Sequence, residues 1–254
     1  MSLPDDFETL FETNDHKNVL LPDFDTGEGV QANQHVIVHG KEAIILDPGG
    51  HKVYNKVFSA TLKASRGAQL KHIFLSHQDP DIVAAVNGWL MTTDAVAWTS
   101  SLWKRFVPHF GLDRLVVDRL LAIGDEGTRL DLGGAELWVL PAHFLHSCGN
   151  FHLYDPTSKI LYTGDLGSSL GQTYREVPNF EAHIPLMDGF HRRYMSSTAA
   201  LRAWVAMARG LDVDIIAPQH GALFRGQMVH QFYDWLETLE CGIDNMAHVY
   251  KVPA

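Results

Sequence analysis

The sequence is poor in cysteine and has no long apolar run. Its 254 residues contain only two cysteines, too few for the disulfide framework that stabilises small secreted domains. No run approaches the ~20 apolar residues that a membrane-spanning helix needs. Residues 1–21 carry five acidic side chains and lack an apolar stretch bracketed by basic residues, so we expect no signal peptide. These absences predict a protein of the reducing cytoplasm.

Positive charge is scarce as well. The 20 Lys and Arg residues stand against 30 Asp and Glu, which gives a formal net charge of -10 with neutral histidines. Since phosphate binding needs clustered Lys and Arg, we expect neither a nucleic-acid partner nor insertion into an anionic membrane. What the chain has instead is 46% hydrophobic residues and 15 histidines. This size and composition predict one globular domain over residues 1–254.

Strand and helix patterns alternate along the chain, which predicts an α/β fold. Residues 100–121 have a helical pattern with breaks at Pro108 and Gly111. Residues 167–192 have no clear period and are expected to form a long functional loop. We predict strands at residues 29–38, 42–47, 70–76, 96–98, 150–154, 159–163 and 213–217, and a hairpin at residues 130–141 around Gly133 and Gly134. Helices are predicted at residues 53–63, 81–91, 197–209 and 227–239.

Metal-ligand residue types follow four of these strands. From His77 to Asp81, an imidazole and two carboxylates alternate where a strand gives way to a helix, although Asp79 alone is equally well explained as a helix N-cap. The carboxyl ends of strands share one edge in layered α/β folds, so we expect the four segments to converge. The candidate metal ligands are His77, Asp79, Asp81, His146, Asp165 and His220.

These segments resemble the metallo-β-lactamase superfamily and, within it, the diiron domain of flavodiiron proteins. The superfamily motif is His-x-His-x-Asp-His, and the flavodiiron form has an acidic residue in place of the second His. Here the motif is His77-x-Asp79-x-Asp81-Ile82. The resemblance extends from residue 33 to residue 221 and implies a metallo-β-lactamase-like αββα sandwich. It implies one metal on His77, Asp79 and His146, another on Asp81 and His220, and Asp165 bridging them.

The surroundings of His146 favour it over His143, which lies three residues earlier. His146 begins a His-Ser-Cys-Gly turn that matches the family's His-[Ser/Thr]-Pro-Gly better, so His143 is expected to be supporting or structural. His191 and Tyr194 lie in another flavodiiron-like segment and are either hydrogen-bond donors behind the ligands or packing residues. The isolated histidines are expected on the surface or hydrogen-bonded in the core; they are His35, His72, His109, His152 and His230.

The ligand set has three imidazoles, three carboxylates and no thiolate, which favours iron or manganese over zinc. Two ferrous ions bring +4 against -3 from the carboxylates, whereas two ferric ions would leave +3. A buried excess of charge is costly, so the oxidised pair favours a bridging dianion. We therefore expect two iron ions (Fe2+/Fe3+) with a bridging oxo, hydroxo or peroxo species, and dioxygen as the ligand.

Two features set the chain apart from flavodiiron reductases. Ile82 occupies the motif's final His position and has no donor atom, so we expect one metal to have fewer ligands and Ile82 to form an apolar wall of the pocket. Our hypothesis is that Ile82 favours retention of an oxygen adduct over turnover. Second, no flavodoxin-type phosphate-binding loop is found, and Gly27 and Gly29 are predicted to form a turn. We therefore expect no flavodoxin domain and no FMN.

Several functions remain open, and whether the chain is an enzyme is left undecided. The favoured one is a cytoplasmic sensor of oxygen or iron that resembles stand-alone oxygen-binding diiron proteins associated with bacterial chemotaxis, which implies chemoreceptor and histidine-kinase partners. The second is an O2 or NO reductase supplied by a separate electron donor. The third is a metal-dependent hydrolase of the glyoxalase II or lactonase type, against which Asp79 and Ile82 argue. A scaffold with a vestigial metal site is the last.

An apolar stripe near the C-terminus bears on oligomeric state. Its spacing places the side chains on one face of a helix. The stripe predicts either packing on the sheet or, as the alternative, a contact within a homodimer. It consists of Phe232, Trp235, Leu236, Leu239 and Ile243.

Overall fold

Two β-sheets, made by successive parts of the chain, form the framework of the protein. The computed structural model describes residues 7–24, 27 and 30–253. The first sheet has the strand order β1-β2-β3-β4-β5-β6-β7 and the second has β13-β12-β11-β10-β9-β8. The first contains β1 (Glu8–Glu12), β2 (His16–Leu20), β3 (His35–His39), β4 (Glu42–Leu46), β5 (Gln69–Phe74), β6 (Val96–Ser100) and β7 (Leu120–Ile123). The second contains β8 (Thr128–Leu132), β9 (Ala135–Pro141), β10 (Phe151–Asp155), β11 (Ile160–Tyr162), β12 (Ile215–Ala217) and β13 (Phe224–Arg225).

Helices cover the outer face of each sheet. Strands β4 to β7 run parallel, as do β11 and β12, whereas the other neighbours are antiparallel. Parallel neighbours need crossover connections, and α1 and α5 supply two of them. The helices are α1 (Tyr54–Ala64), α2 (Pro80–Val83), α3 (Val86–Thr92), α4 (Phe180–Tyr194), α5 (Thr198–Ala208), α6 (Gln227–Thr238) and α7 (Ile243–Met246).

Three hydrophobic cores separate the four layers. One lies between α1–α3 and the first sheet, where Trp89 packs with Ile45. The middle core joins the two sheets, with Phe74 from the first and Phe151 from the second. The third lies between the second sheet and α4–α6, around Phe232. This is the αββα sandwich that the sequence predicts, and the fold class is confirmed.

The largest error in the sequence prediction is the loop expected at residues 167–192. Residues 180–194 form α4, and the Asn179 side chain caps its start by accepting a hydrogen bond from the Ala182 N–H at 2.9 Å. The buried face of α4 includes two histidines, and Pro185 lies inside the helix. Histidine counts as polar and proline as a helix breaker, so the sequence of this segment shows no regular spacing of apolar residues that would predict a helix.

Other boundaries also differ from the prediction. Residues 100–121 form turns, two short 3-10 helices (Val107–Phe110 and Val117–Arg119) and the start of β7 rather than a helix. The helix predicted at residues 81–91 is divided into α2 and α3, and the hairpin of β1 and β2 was not predicted. Residue 29, the first of the strand predicted at residues 29–38, lies outside the described residues. The same is true of Gly29 in the turn predicted at Gly27 and Gly29.

The C-terminal apolar stripe packs largely inside the molecule. Phe232, Leu236 and Leu239 are buried in the third core and Trp235 packs against it, whereas Ile243 is half exposed. The structure therefore favours packing on the sheet for this stripe. Among the described residues, no helix is both long and apolar enough to cross a membrane.

A buried polar network joins the two sheets through Asp155. His16 Nε2 lies 2.8 Å from Asp155 Oδ2, and Asn18 Nδ2 donates to the same oxygen at 2.7 Å. Ser158 Oγ also donates to it, at 2.6 Å. Burial alone would raise the pKa of Asp155, but these donors outweigh burial and hold its pKa below the usual range. The network fastens the N-terminal hairpin to the second sheet.

We expect Asp155→Ala to lower the free energy of unfolding at pH 7 by about 3–5 kcal/mol, because it leaves His16 and Asn18 without their buried acceptor. Urea unfolding followed by circular dichroism measures the loss. Asp212→Ala is the control, since Asp212 pairs with Lys159 at the surface and is 73% exposed; its cost should stay below about 1 kcal/mol.

The loss caused by Asp155→Ala should also depend on pH. A carboxyl group whose native pKa is depressed contributes stability above its unfolded pKa of ~3.9, and this stability disappears as the pH falls through the native value. The difference between wild type and variant should therefore narrow progressively as the pH falls below about 4 and through the lower native pKa. An equal difference at pH 3 and pH 7 would show that the Asp155 charge contributes nothing.

Candidate metal centre

The six candidate ligands lie together at one edge of the two sheets. The edge is formed by the carboxyl ends of β5, β9, β11 and β12, and the structure brings these four ends together as the sequence predicts. His77 follows β5, Asp79 and Asp81 flank Pro80 at the start of α2, His146 follows β9, Asp165 follows β11 and His220 follows β12.

Four of the six form one group, called here the Asp79 group: His77, Asp79, His146 and Asp165. One donor atom from each lies within 4.8 Å of the others. His146 Nε2 is 3.0 Å from Asp165 Oδ2 and 3.6 Å from Asp79 Oδ2. His77 Nε2 is 3.7 Å from the same Asp79 oxygen and 3.8 Å from Asp165 Oδ2. Two ligands of one ion, with bonds of about 2.1 Å, lie about 3–4 Å apart. The Asp79 group is therefore spaced as the ligands of one cation.

The remaining two residues form a second group with Asp165, called here the Asp81 group. His220 Nε2 lies 3.4 Å from Asp81 Oδ2 and 3.3 Å from Asp165 Oδ1. Asp165 therefore turns Oδ2 to the Asp79 group and Oδ1 to the Asp81 group. A carboxylate that bridges two cations needs this arrangement.

Hydrogen bonds behind two imidazoles fix their orientation. Ser76 Oγ lies 2.9 Å from His77 Nδ1, and the Gln31 carbonyl oxygen accepts from His220 Nδ1. Each bond engages the rear nitrogen and leaves Nε2 to face the carboxylates, as is usual for metal-binding histidines. Ser76 is itself held by Asp47, whose Oδ1 accepts from the Ser76 N–H at 2.8 Å. Burial raises the pKa of Asp47 to about 6.

The supporting roles of Ser76 and Gln31 were not predicted from the sequence. Ser76 directly precedes His77, so a polar neighbour was the available signal there. Gln31 gave no such signal, because it lies 189 residues from His220 along the chain.

The charges of the two groups compensate one another in the absence of a cation. Although burial opposes its charge, the carboxylates of Asp165 and Asp81 raise the pKa of His220 to about 10. Burial likewise opposes ionisation of Asp165, but His146 and His220 hold its pKa far below the usual range. Protons on His77 and His220, whose pKa values are both raised, thus offset part of the carboxylate charge, and bound cations would take over that role.

Two buried donor atoms without a hydrogen-bond partner indicate whether these residues fit a metal. His146 Nε2 and Asp165 Oδ1 are buried, and neither has a hydrogen-bond partner among the described residues. Buried polar atoms are almost always paired, and a cation in each group would engage them. The donors are imidazole nitrogens and carboxylate oxygens, which suit iron. The residues therefore fit a pair of iron ions.

A cavity of about 600 Å³ leads to the two groups. Asp79, Asp81, Asp165 and His220 lie at its base, and its walls include apolar side chains of α4. Tyr194 lies on its rim, stacks on Phe190 with ring centroids 4.7 Å apart, and packs edge-on against His146 at 5.8 Å. Tyr194 therefore contacts one candidate ligand by packing and faces solvent with its other side.

A family model described as ODP family beta lactamase matches residues 30–221. The chain belongs to this family. A solved structure described as the peroxy diiron species of chemotaxis sensor ODP is 38% identical, with a TM-score of 0.86, and covers 96% of this chain and 100% of that chain. The apo state of chemotaxis sensor ODP from T. denticola is 36% identical, with a TM-score of 0.87, and covers 96% and 99%. The resemblance stated from the sequence is confirmed.

More distant similarity extends to a flavodiiron protein from Giardia intestinalis, which is 17% identical with a TM-score of 0.74. The match covers 92% of this chain but 60% of that one. At this identity the similarity shows the ODP family and flavodiiron proteins to share a fold. No curated protein matched the sequence.

In this ODP-family chain His191 contacts the turn that carries Asp165. Its ring is buried in α4, Nε2 accepts from the Gly167 N–H at 2.9 Å, and Nδ1 donates to the Met187 carbonyl at 2.7 Å. Burial lowers the pKa of His191 to about 4, so the ring is neutral at pH 7. His191 thus joins α4 to the backbone two residues after Asp165. Its hydrogen bonds do not include any of the candidate ligands.

The other histidines have varied surroundings. His143 lies outside both groups, and its Nε2 is 2.8 Å from the Asp125 carbonyl. His72 is hydrogen-bonded and His109 and His230 are exposed, as expected. The prediction was wrong for His35 and His152, because both are buried and neither ring nitrogen has a hydrogen-bond partner among the described residues.

Ile82 does not form the apolar wall that the sequence analysis expects. It is fully buried in the core between the helices and the first sheet, and the residues that line the cavity do not include it. The α2 turn points Asp81 to the cavity and Ile82 to the core. That prediction is therefore corrected, although Ile82 still lacks a donor atom.

We expect His191→Leu to lower the free energy of unfolding of the metal-free protein by about 1–3 kcal/mol, because the buried Gly167 N–H loses its acceptor. Chemical denaturation measures the change. His183→Leu is the matched control on the same helix, since the one hydrogen-bond partner of its ring among the described residues is the half-buried Tyr174 hydroxyl, 2.8 Å from Nδ1. Equal losses in the two variants would contradict a specific role for the bond to Gly167.

Proposed function

We propose that this protein is a non-haem diiron protein that binds dioxygen and acts as an oxygen sensor. One observation carries the proposal: Asp165 presents one carboxylate oxygen to each of two groups of candidate ligands. The description of the relative as a peroxy diiron species, at 38% identity over 96% of this chain, supports iron and dioxygen as the bound species.

The residues that would hold the two ions follow from the two groups. His77, Asp79 and His146 would hold the first, Asp81 and His220 the second, and Asp165 both. Iron bound there would supply reversible oxidation and reduction together with open positions for dioxygen. With Asp165 counted twice, the first position has four protein ligands and the second has three. The second position is therefore the weaker one.

The cavity suits a small apolar gas. Dioxygen and NO are both small and weakly polar, and the apolar side chains of Leu170, Leu186 and Phe190 line the approach to the carboxylates. Val30 and Tyr194 at the rim are both exposed. A gas can reach the ligand groups along this surface, whereas a large anionic substrate would have to lie against three carboxylates. This favours binding of a diatomic ligand.

The partners belong to the same proposal. Both similar structures are described as a chemotaxis sensor, which supports a chemoreceptor or a histidine kinase as the protein that detects the state of the site. We place this function in the cytoplasm, in a single domain over residues 1–254 without FMN. A homodimer stays a prediction.

Anaerobic titration with Fe(II) tests the proposal. Wild type should bind two ions per chain, and admission of O2 should produce a visible absorption band that persists in the absence of an electron donor. Asp165→Asn removes the shared ligand and should abolish binding of both ions, whereas His220→Ala should leave one. Iron analysis and absorption spectroscopy measure these outcomes.

His143→Ala is the control for the titration, because His143 lies close in sequence but outside both groups; it should keep two ions. A single ion in wild type, or two ions in Asp165→Asn, would contradict the proposed bridge. Rapid bleaching with consumption of an added donor would favour a reductase instead. Tight zinc binding with esterase activity would favour a hydrolase.

A further inference from the structure

The Gln219 side chain contacts the ligand group that has fewer members. Gln219 directly precedes His220 and is only 2% exposed. Its Nε2 donates to Asp81 Oδ2 at 3.0 Å. That oxygen is the one that faces His220 Nε2 at 3.4 Å. The amide therefore holds the atom that Asp81 would offer to a cation.

Asp81 has little else to fix it. Its side chain is 43% exposed, and it lies in a helix of only four residues. Among the described residues, the hydrogen bond from Gln219 and the ion pair with His220 are the polar side-chain contacts of the Asp81 carboxylate. A half-exposed carboxylate on one turn of helix would otherwise adopt several rotamers.

The Gln219 backbone is fixed at both ends. Its N–H donates to the Gly164 carbonyl at 2.7 Å, and its carbonyl accepts from the Asn33 N–H. Asn33 Nδ2 also donates to the neighbouring Pro218 and Gly221 carbonyls, at 2.9 and 3.0 Å. Since Gly164 precedes Asp165, Gln219 connects all three members of the Asp81 group.

The oxygen of the Gln219 amide lacks a hydrogen-bond donor. Gln219 Oε1 is buried and has no hydrogen-bond partner among the described residues. A buried acceptor without a donor is destabilising, so this side chain does not serve stability alone. Its amide orientation is explained by the bond to Asp81.

We propose that Gln219 is a positioning residue for the second iron. It orients the Asp81 carboxylate toward His220, in the ligand group that lacks the superfamily's final histidine because Ile82 stands there. The inference rests on the proposed function, because it requires two ions at the Asp79 and Asp81 groups. Gln219 does not itself contact iron.

Gln219→Met tests the inference, because methionine keeps the length of the side chain and removes the amide. The metal-free variant should unfold within about 3 °C of wild type, since it loses one hydrogen bond and one unpaired acceptor together. Anaerobic Fe(II) titration should show the first ion bound with unchanged affinity and the second about 10–100-fold more weakly. Gln231→Met on α6 is the matched control, since Gln231 Oε1 is also buried and has no hydrogen-bond partner in the described part of the chain; it should bind both ions normally.

A double-mutant cycle separates positioning from a general structural effect. In an Asp81→Asn background the second ion is already weakened, and Gln219→Met should weaken it no further if it acts through Asp81. Additive losses would overturn the inference, as would wild-type affinity for the second ion in Gln219→Met. If wild type fails to bind two ions, the proposed function and the inference are both overturned. If wild type binds two ions and Gln219→Met binds them equally well, the inference alone is overturned.

Discussion

The buried carboxylate of Asp165 is the group on which the rest of the site depends. It lies close to three histidines, His77, His146 and His220, and turns one oxygen to each ligand group. A negative charge this deep is unfavourable unless it is compensated. Protonated His77 and His220 supply part of that compensation, and bound cations would supply it otherwise. The other five candidate ligands fall into two groups, and Asp165 belongs to both.

The scaffold holds these groups by contacts that extend well beyond them. His191 joins the Asp165 turn to α4, Ser76 supports the His77 ring, and Gln31 supports the His220 ring. Each is buried or partly buried. His191 and Gln31 bond groups 24 and 189 residues away along the chain, whereas Ser76 bonds its immediate neighbour. Side chains and backbone groups restrained in this way lose little further freedom when a ligand arrives, so the site is preorganised.

The sequence predicted the ligand candidates better than the elements that support them. Residues such as Asp165 and His220 directly follow short apolar strands, and strand ends share an edge by geometry, so local pattern was enough. The helix α4 was missed because its inward positions include His183 and His191, which count as polar in any hydrophobic period. Gln31 was missed for a different reason, since its contact with His220 is long-range and no local pattern encodes it. The burial of Ile82 could not be predicted from the motif either. The motif shows that the final histidine is replaced, but not where the replacing side chain packs.

The candidate ligands are divided equally between the two halves of the sandwich. Three lie between the end of β5 and the first turn of α2 in the first half, and three follow strands of the second half. During synthesis the first three emerge early, whereas His220 emerges only after most of the chain. Neither half alone contains a complete group, so the site forms only when both sheets have docked. Metal loading would therefore be a late event in folding, and a bound pair of ions would clamp the halves together.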